Sequence, residues 1–124
     1  MSDAPAERLA ECLNSLRAST PGLEAAAVTS VEGIIIAASL PDDLGGARID
    51  AMSAAMLALG ERIAAELGRG ELEQVFIKGR AGYALLQALD ENCQLVVLAS
   101  EDAQLGLLFL DMRAAGEDLR KLLT

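Results

Sequence analysis

Residues 73–100 read EQVFIKGRAGYALLQALDENCQLVVLAS, and this stretch decides the fold. Three runs rich in strand-forming residues, Glu73–Lys78, Tyr83–Asp90 and Gln94–Ser100, are separated by the turn groups Gly79-Arg80-Ala81-Gly82 and Asp90-Glu91-Asn92. Short runs broken by such turns are strands joined as hairpins, so the sheet they build is antiparallel. Leu95-Val96-Val97-Leu98-Ala99 is apolar on both of its faces, which places it centrally in a sheet covered on both sides. Glu73-Gln74-Val75-Phe76-Ile77-Lys78 carries the most polar residues and suits an edge.

Upstream, Leu9, Cys12, Leu13 and Leu16 recur at helical spacing, with Asp3 and Pro5 suited to the first turn and Ser19-Thr20-Pro21-Gly22 as the stop. Leu23–Ser30 and Ile34–Ala38 read as strands paired through Val31-Glu32-Gly33, and residues 41–46 as a loop. A second helix is expected from Arg48 to Leu67. Its large apolar residues, Ile49, Met52, Met56, Leu59, Ile63 and Leu67, form one stripe that is expected to lie on the sheet. The opposite face carries Ala51, Ala54, Ala58 and Ala65, with Ala55 beside them, and no charge occurs between Asp50 and Glu61. A solvated helix face normally bears a charge every turn or so, so this alanine ridge is expected to pack against another chain. The last helix is expected from about Ala103, with Asp102 as its N-cap and Leu105, Leu108, Phe109, Met112, Leu119 and Leu123 as its buried stripe. The order is α-β-β-α-β-β-β-α, an α+β sandwich in a single domain spanning residues 1–124.

Composition narrows the function. Of 124 residues, 52% are hydrophobic, and 19 acids against 10 bases give a net charge of −9. Such a chain can form its own core, and it is a poor match for nucleic acid, whose phosphates need clustered Lys and Arg. There is no histidine, so imidazole-based triads and His-ligated metal sites are excluded. Cys12 and Cys93 are too few for a disulfide scaffold, and a reduced, cytoplasmic setting is expected. The apolar stretches are too short for a membrane span, and Met1–Arg8 contains no signal-peptide core. No P-loop, calcium loop, metal site or cofactor site is read. Arg69 and Arg80 stand beside glycines in turns, where they are candidate contacts with a partner. If Glu73–Lys78 is an open edge, it can pair with its own copy, giving a two-fold dimer.

The chain also resembles the roadblock / dynein light-chain family along essentially its whole length. The matching landmarks are Pro21-Gly22-Leu23-Glu24-Ala25-Ala26-Ala27-Val28, Glu32-Gly33-Ile34-Ile35-Ile36-Ala37 and Leu59-Gly60-Glu61-Arg62. Further matches are Gly70-Glu71-Leu72-Glu73-Gln74-Val75, Gly82-Tyr83 and Ala103-Gln104-Leu105-Gly106-Leu107. The resemblance implies a five-stranded antiparallel sheet with the middle helix alone on one face, and a homodimer formed through that helix and the third strand. It therefore implies an interface at Ala51, Ala54, Ala55, Ala58, Glu73, Val75 and Ile77, with Arg62, Arg69 and Arg80 as candidate partner contacts. The Ala-rich, compact sequence is similar to prokaryotic members, which include the activating partner of the gliding-motility Ras-like GTPase. The implied function is a non-enzymatic regulator or scaffold of a small Ras-like GTPase. The alternative is a dynein light-chain-like adapter in a motor or signalling complex, without GTPase contact. A small-molecule sensor fits less well, because one Tyr and no Trp or His leave few polar anchors for a ligand.

Overall fold

In a computed structural model, residues 5–124 are described, so the first-turn role expected of Asp3 lies outside them. The elements are α1 (Pro5–Ser19), β1 (Leu23–Ser30), β2 (Ile35–Ser39), α2 (Gly46–Glu66), β3 (Gln74–Gly79), β4 (Gly82–Ala88), β5 (Cys93–Ser100) and α3 (Leu105–Leu123). They form one antiparallel sheet in the order β2-β1-β5-β4-β3. The all-apolar β5 is central, as its sequence requires, and β3 is an edge strand.

Alternation along each strand divides the core in two. Leu85, Leu95 and Val97 face α1 and α3, where they meet Leu9, Leu13, Leu108, Met112 and Leu119 in a cluster of eighteen buried residues. Fully burying a side chain of this size contributes about 1.5–3 kcal/mol, so this layer dominates stability. Three polar links hold it in register. The Thr20 hydroxyl donates to Asp111 Oδ2 at 2.8 Å, Gln87 Nε2 donates to the Met112 carbonyl at 3.1 Å, and Arg120 Nε donates to the Leu89 carbonyl at 2.8 Å. On the other face α2 lies alone, and the buried cluster beneath it has only four members, Met56, Leu57, Leu86 and Val96.

Two family landmarks have a direct steric explanation. Gly22 and Gly33 have φ of +87° and +84°, a region unfavourable to other L residues. A Cβ at Gly22 would also lie 2.9 Å from the Ala103 Cβ, and one at Gly33 would lie 2.6 Å from the Ala54 Cβ. The chain therefore passes close beneath α2 and beside the start of α3 at these two turns.

Three expectations are corrected. The strand expected at Ile34–Ala38 runs one residue later, because a bulge between Val28 and Thr29 shifts the pairing. Asp102 does not cap α3. The helix starts at Leu105 with Gln104, extended, at the cap position and no side-chain cap; Glu101 and Asp102 form a turn closed by the Ala103 N–H on the Ser100 carbonyl at 3.1 Å, and Ala103 is buried against the Gly22 turn. The third concerns the rotation of α2. Its buried residues are Ile49, Ser53, Met56 and Leu57, whereas Leu59, Ile63 and Leu67 are exposed. At 3.6 residues per turn, the sheet-facing side is about 60° from the stripe drawn through the large apolar residues. Ser53 and Gly60 explain the difference. A Cβ at Gly60 would be 2.7 Å from Val75 Cγ2, so small residues on this side let α2 sit close to the sheet. The larger side chains are turned outward.

Candidate functional site

Turning α2 leaves a surface that the chain does not cover itself. Leu59 is 61% exposed and Ile63 48%, while Met52, one and two turns before Ala55 and Leu59 on the same side, is half-buried. Beside them is the open edge of the sheet. Among the described residues β3 pairs only with β4, so the outward N–H and C=O groups of its backbone have no strand partner there. Val75 is half-buried under Gly60, and Ile77, 48% exposed, faces the same side. Ile77 continues an apolar row across the sheet through its register partners Ala84 and Leu98. Between α2 and β3 runs a groove of about 470 Å³, lined by Gly60, Ile63, Ala64, Arg69, Leu72 and Val75 among others.

The residues singled out from sequence fall as follows. Ala51, Ala55 and Ala58 are exposed on α2, and Ala54 is half-buried against the β1–β2 turn at Gly33. Asp50, next to this ridge, fixes the turn: its Oδ1 accepts a hydrogen bond from the Ile35 N–H at 2.8 Å. Glu73 is exposed just before β3, and its carbonyl accepts the Ala88 N–H at 2.9 Å. Glu73, Val75 and Ile77 thus share one edge and one face with the outer side of α2. The three arginines are not brought together. Arg62 is exposed and paired with Glu66 at 3.1 Å across one helical turn. Arg69 follows α2 and Arg80 lies in the β3–β4 turn, so they sit at opposite ends of a strand whose six residues span roughly 20 Å. Met52, Leu59 and Ile63 are the surface residues that sequence reasoning assigned elsewhere. The signal for them was the set Ser53, Gly60 and Ala64, which recurs at helical spacing and marks the sheet-facing side by its small size.

All three aromatic residues meet on the opposite face of the β3 edge. The Phe76 ring centroid is 5.7 Å from that of Tyr83 and 5.7 Å from that of Phe109, which bridges sheet and α3. This cluster stiffens an edge that has no strand beyond it.

The two cysteines are free. Burial, and then the nearby Asp118, raises the pKa of the Cys12 thiol. Burial likewise raises that of Cys93, followed by Asp90 and Glu32. Both therefore stay protonated at neutral pH and are poor nucleophiles. Because the folded chain holds these protons more tightly than the unfolded chain, their stabilisation is intact below the ordinary thiol pKa. It is lost as pH rises from about 8.5 through the raised folded values. The urea midpoint is expected to fall as pH rises above about 8.5, with a shallower fall in Cys93→Ala. Equal slopes in the two proteins would contradict this assignment.

No described helix is long and apolar enough to cross a membrane, and no group of three or more acidic or cysteine side chains among the described residues is placed to hold a metal ion. Residues 9–99 match the Roadblock/LC7 domain. The chain is 36% identical over 101 residues to protein MJ1340 of Methanocaldococcus jannaschii, covering 82% of this chain and 88% of that one. Its fold superposes on Myxococcus xanthus MglB with a TM-score of 0.89 at 17% identity, over 99% of this chain and 92% of that one. The gliding protein MglB of Thermus thermophilus gives 0.86 at 22% identity, over 98% and 93%. At these identities the two structures speak to the fold, while the domain match and the archaeal relative speak to descent. The chain belongs to the Roadblock/LC7 domain family.

Proposed function

We propose that the protein is a cytoplasmic, homodimeric and non-enzymatic regulator or scaffold of a small Ras-like GTPase. The observation that carries this reading is the uncovered surface of α2 and β3 in a chain whose fold follows MglB from end to end. In the dimer, β3 pairs with its own copy and the outer sides of the two α2 helices meet. Met52, Ala55, Leu59 and Ile63 form the centre of the seam, Val75 and Ile77 line its sheet side, and Ala51 and Ala58 lie at its margin. Ala54 contributes by fixing α2 on the β1–β2 turn.

Such a protein accelerates GTP hydrolysis without a catalytic residue by binding the GTPase conformation in which water and switch loops are aligned. The acceleration has a ceiling: a conformation occupied about 1% of the time yields at most roughly 100-fold when fully selected. An arginine inserted into the partner's site would exceed that ceiling. Arg69 and Arg80 are free of ion pairs among the described residues, and the Arg62–Glu66 pair is exposed and worth at most about 1 kcal/mol, so it yields readily. Single-turnover hydrolysis by a Ras-like GTPase from the same organism, measured with increasing amounts of this protein, tests the reading. Under conformational selection, Arg62→Ala, Arg69→Ala and Arg80→Ala change stimulation only as far as they change binding. Binding without stimulation makes the protein a scaffold, and native partners that all lack a nucleotide-binding domain would favour the adapter reading.

A further inference from the structure

A second depression, of about 650 Å³, lies where the last turns of α2, the connection to β3 and the β4–β5 turn converge. It meets the seam groove along Glu71-Leu72-Glu73 but opens on the other side of Leu72. Its floor is aliphatic, with Leu57, Leu72 and Val31. Glu61, Glu71, Glu73, Asp90 and Glu91 stand around it, and no lysine or arginine lines it. Asp90 serves the fold, since its Oδ1 accepts the N–H groups of Asn92 and Cys93 at 2.7 and 2.8 Å. The other four carboxylates are exposed and take no part in an ion pair, the one such pair among the described residues being Arg62–Glu66.

An apolar floor within a ring of one sign of charge concentrates the field there and selects for an occupant of the opposite sign. The carboxylates are too dispersed to chelate a single metal ion, since no three acidic groups are placed to hold one among the described residues. The complementary occupant carries several separated positive charges on an apolar stem. We propose that this cleft docks a basic, amphipathic segment of a partner protein. Its arginine or lysine side chains reach Glu61, Glu71, Glu73 and Glu91, while an aliphatic side chain rests on Leu57 and Leu72. Arginine suits the rim best, because its planar guanidinium pairs with a carboxylate through two hydrogen bonds. The cleft volume falls within the usual range for binding pockets and admits one or two large side chains.

The proposal needs neither the homodimer nor the GTPase. Its test is fluorescence anisotropy of a labelled peptide alternating arginine and leucine, titrated with the full chain. Binding is expected to weaken roughly tenfold in the double variant Glu61→Lys/Glu91→Lys, which touches only this rim. The double variant Glu7→Lys/Glu11→Lys on α1 changes net charge equally and is expected to leave affinity within about twofold. A peptide of the same charge with serine in place of leucine is expected to bind roughly tenfold more weakly. Absence of binding would overturn the proposal. So would equal losses in the two double variants, which would mean general attraction to an acidic chain, or equal affinity of the serine peptide.

Discussion

Ile63→Glu is expected to leave the protein monomeric at concentrations where the unaltered chain is a dimer. Ile63 is 48% exposed on the isolated chain, so a glutamate there is solvated in the monomer and does little to its fold. At the proposed seam the same glutamate would be desolvated and unpaired, and two-fold symmetry would apply the penalty twice. Each buried, unpartnered carboxylate costs about 3 kcal/mol or more, so the pair, at about 6 kcal/mol, weakens the dimer by roughly ten-thousandfold or more. Sedimentation or light scattering reads the result as a change from twice 12.9 kDa to 12.9 kDa. Leu59→Glu is expected to act similarly, since Leu59 is 61% exposed on the same side of the helix. Ala58→Glu, at the seam's margin, is expected to have the smaller effect. A dimer unaffected by Ile63→Glu but broken by Ala58→Glu would place the seam on the alanine ridge instead.

Gly33→Ala is expected to lower stability by about 2–4 kcal/mol, a drop of roughly 10 °C in Tm. Two effects combine. A φ of +84° disfavours alanine by about 1–2 kcal/mol. The added methyl would lie 2.6 Å from the Ala54 Cβ and 2.9 Å from the Asp50 carbonyl oxygen, so α2 must lift away from the hairpin. That movement strains the Asp50–Ile35 hydrogen bond as well. Gly68→Ala is the comparison: φ is +66°, but a Cβ there meets nothing within 4 Å, so only the backbone term of about 1–2 kcal/mol applies. Equal losses at the two positions would show that the turn relaxes without disturbing α2.

The element order, the central place of β5 and the open edge at β3 are legible in the sequence because each follows from local pattern. Turn residues delimit the strands, and an all-apolar run has to be covered on both faces. The rotation of α2 is not legible in the same way. Hydrophobic periodicity locates the stripe of largest apolar residues, and in a helix lying on its own sheet that stripe is usually buried. Here Ser53 and Gly60 let the helix sit close over the sheet, and Leu59 and Ile63 are turned away from it. The start of α3 escaped for a related reason. Asp102 has the chemistry of an N-cap, but it lies in a turn that ends with Ala103 buried beside Gly22, and that contact joins residues remote in sequence. The acidic cleft is likewise assembled from three separate segments, each with an ordinary charge pattern.

The central claim is that this protein recognises a small Ras-like GTPase, and equilibrium titration addresses it most directly. Each Ras-like GTPase of the source organism, loaded either with GDP or with a non-hydrolysable GTP analogue, is titrated with the purified protein and with Ile63→Glu. Binding to one of these GTPases in one nucleotide state, weakened in the monomeric variant, is the expected result. No binding to any of them in either state would contradict the account.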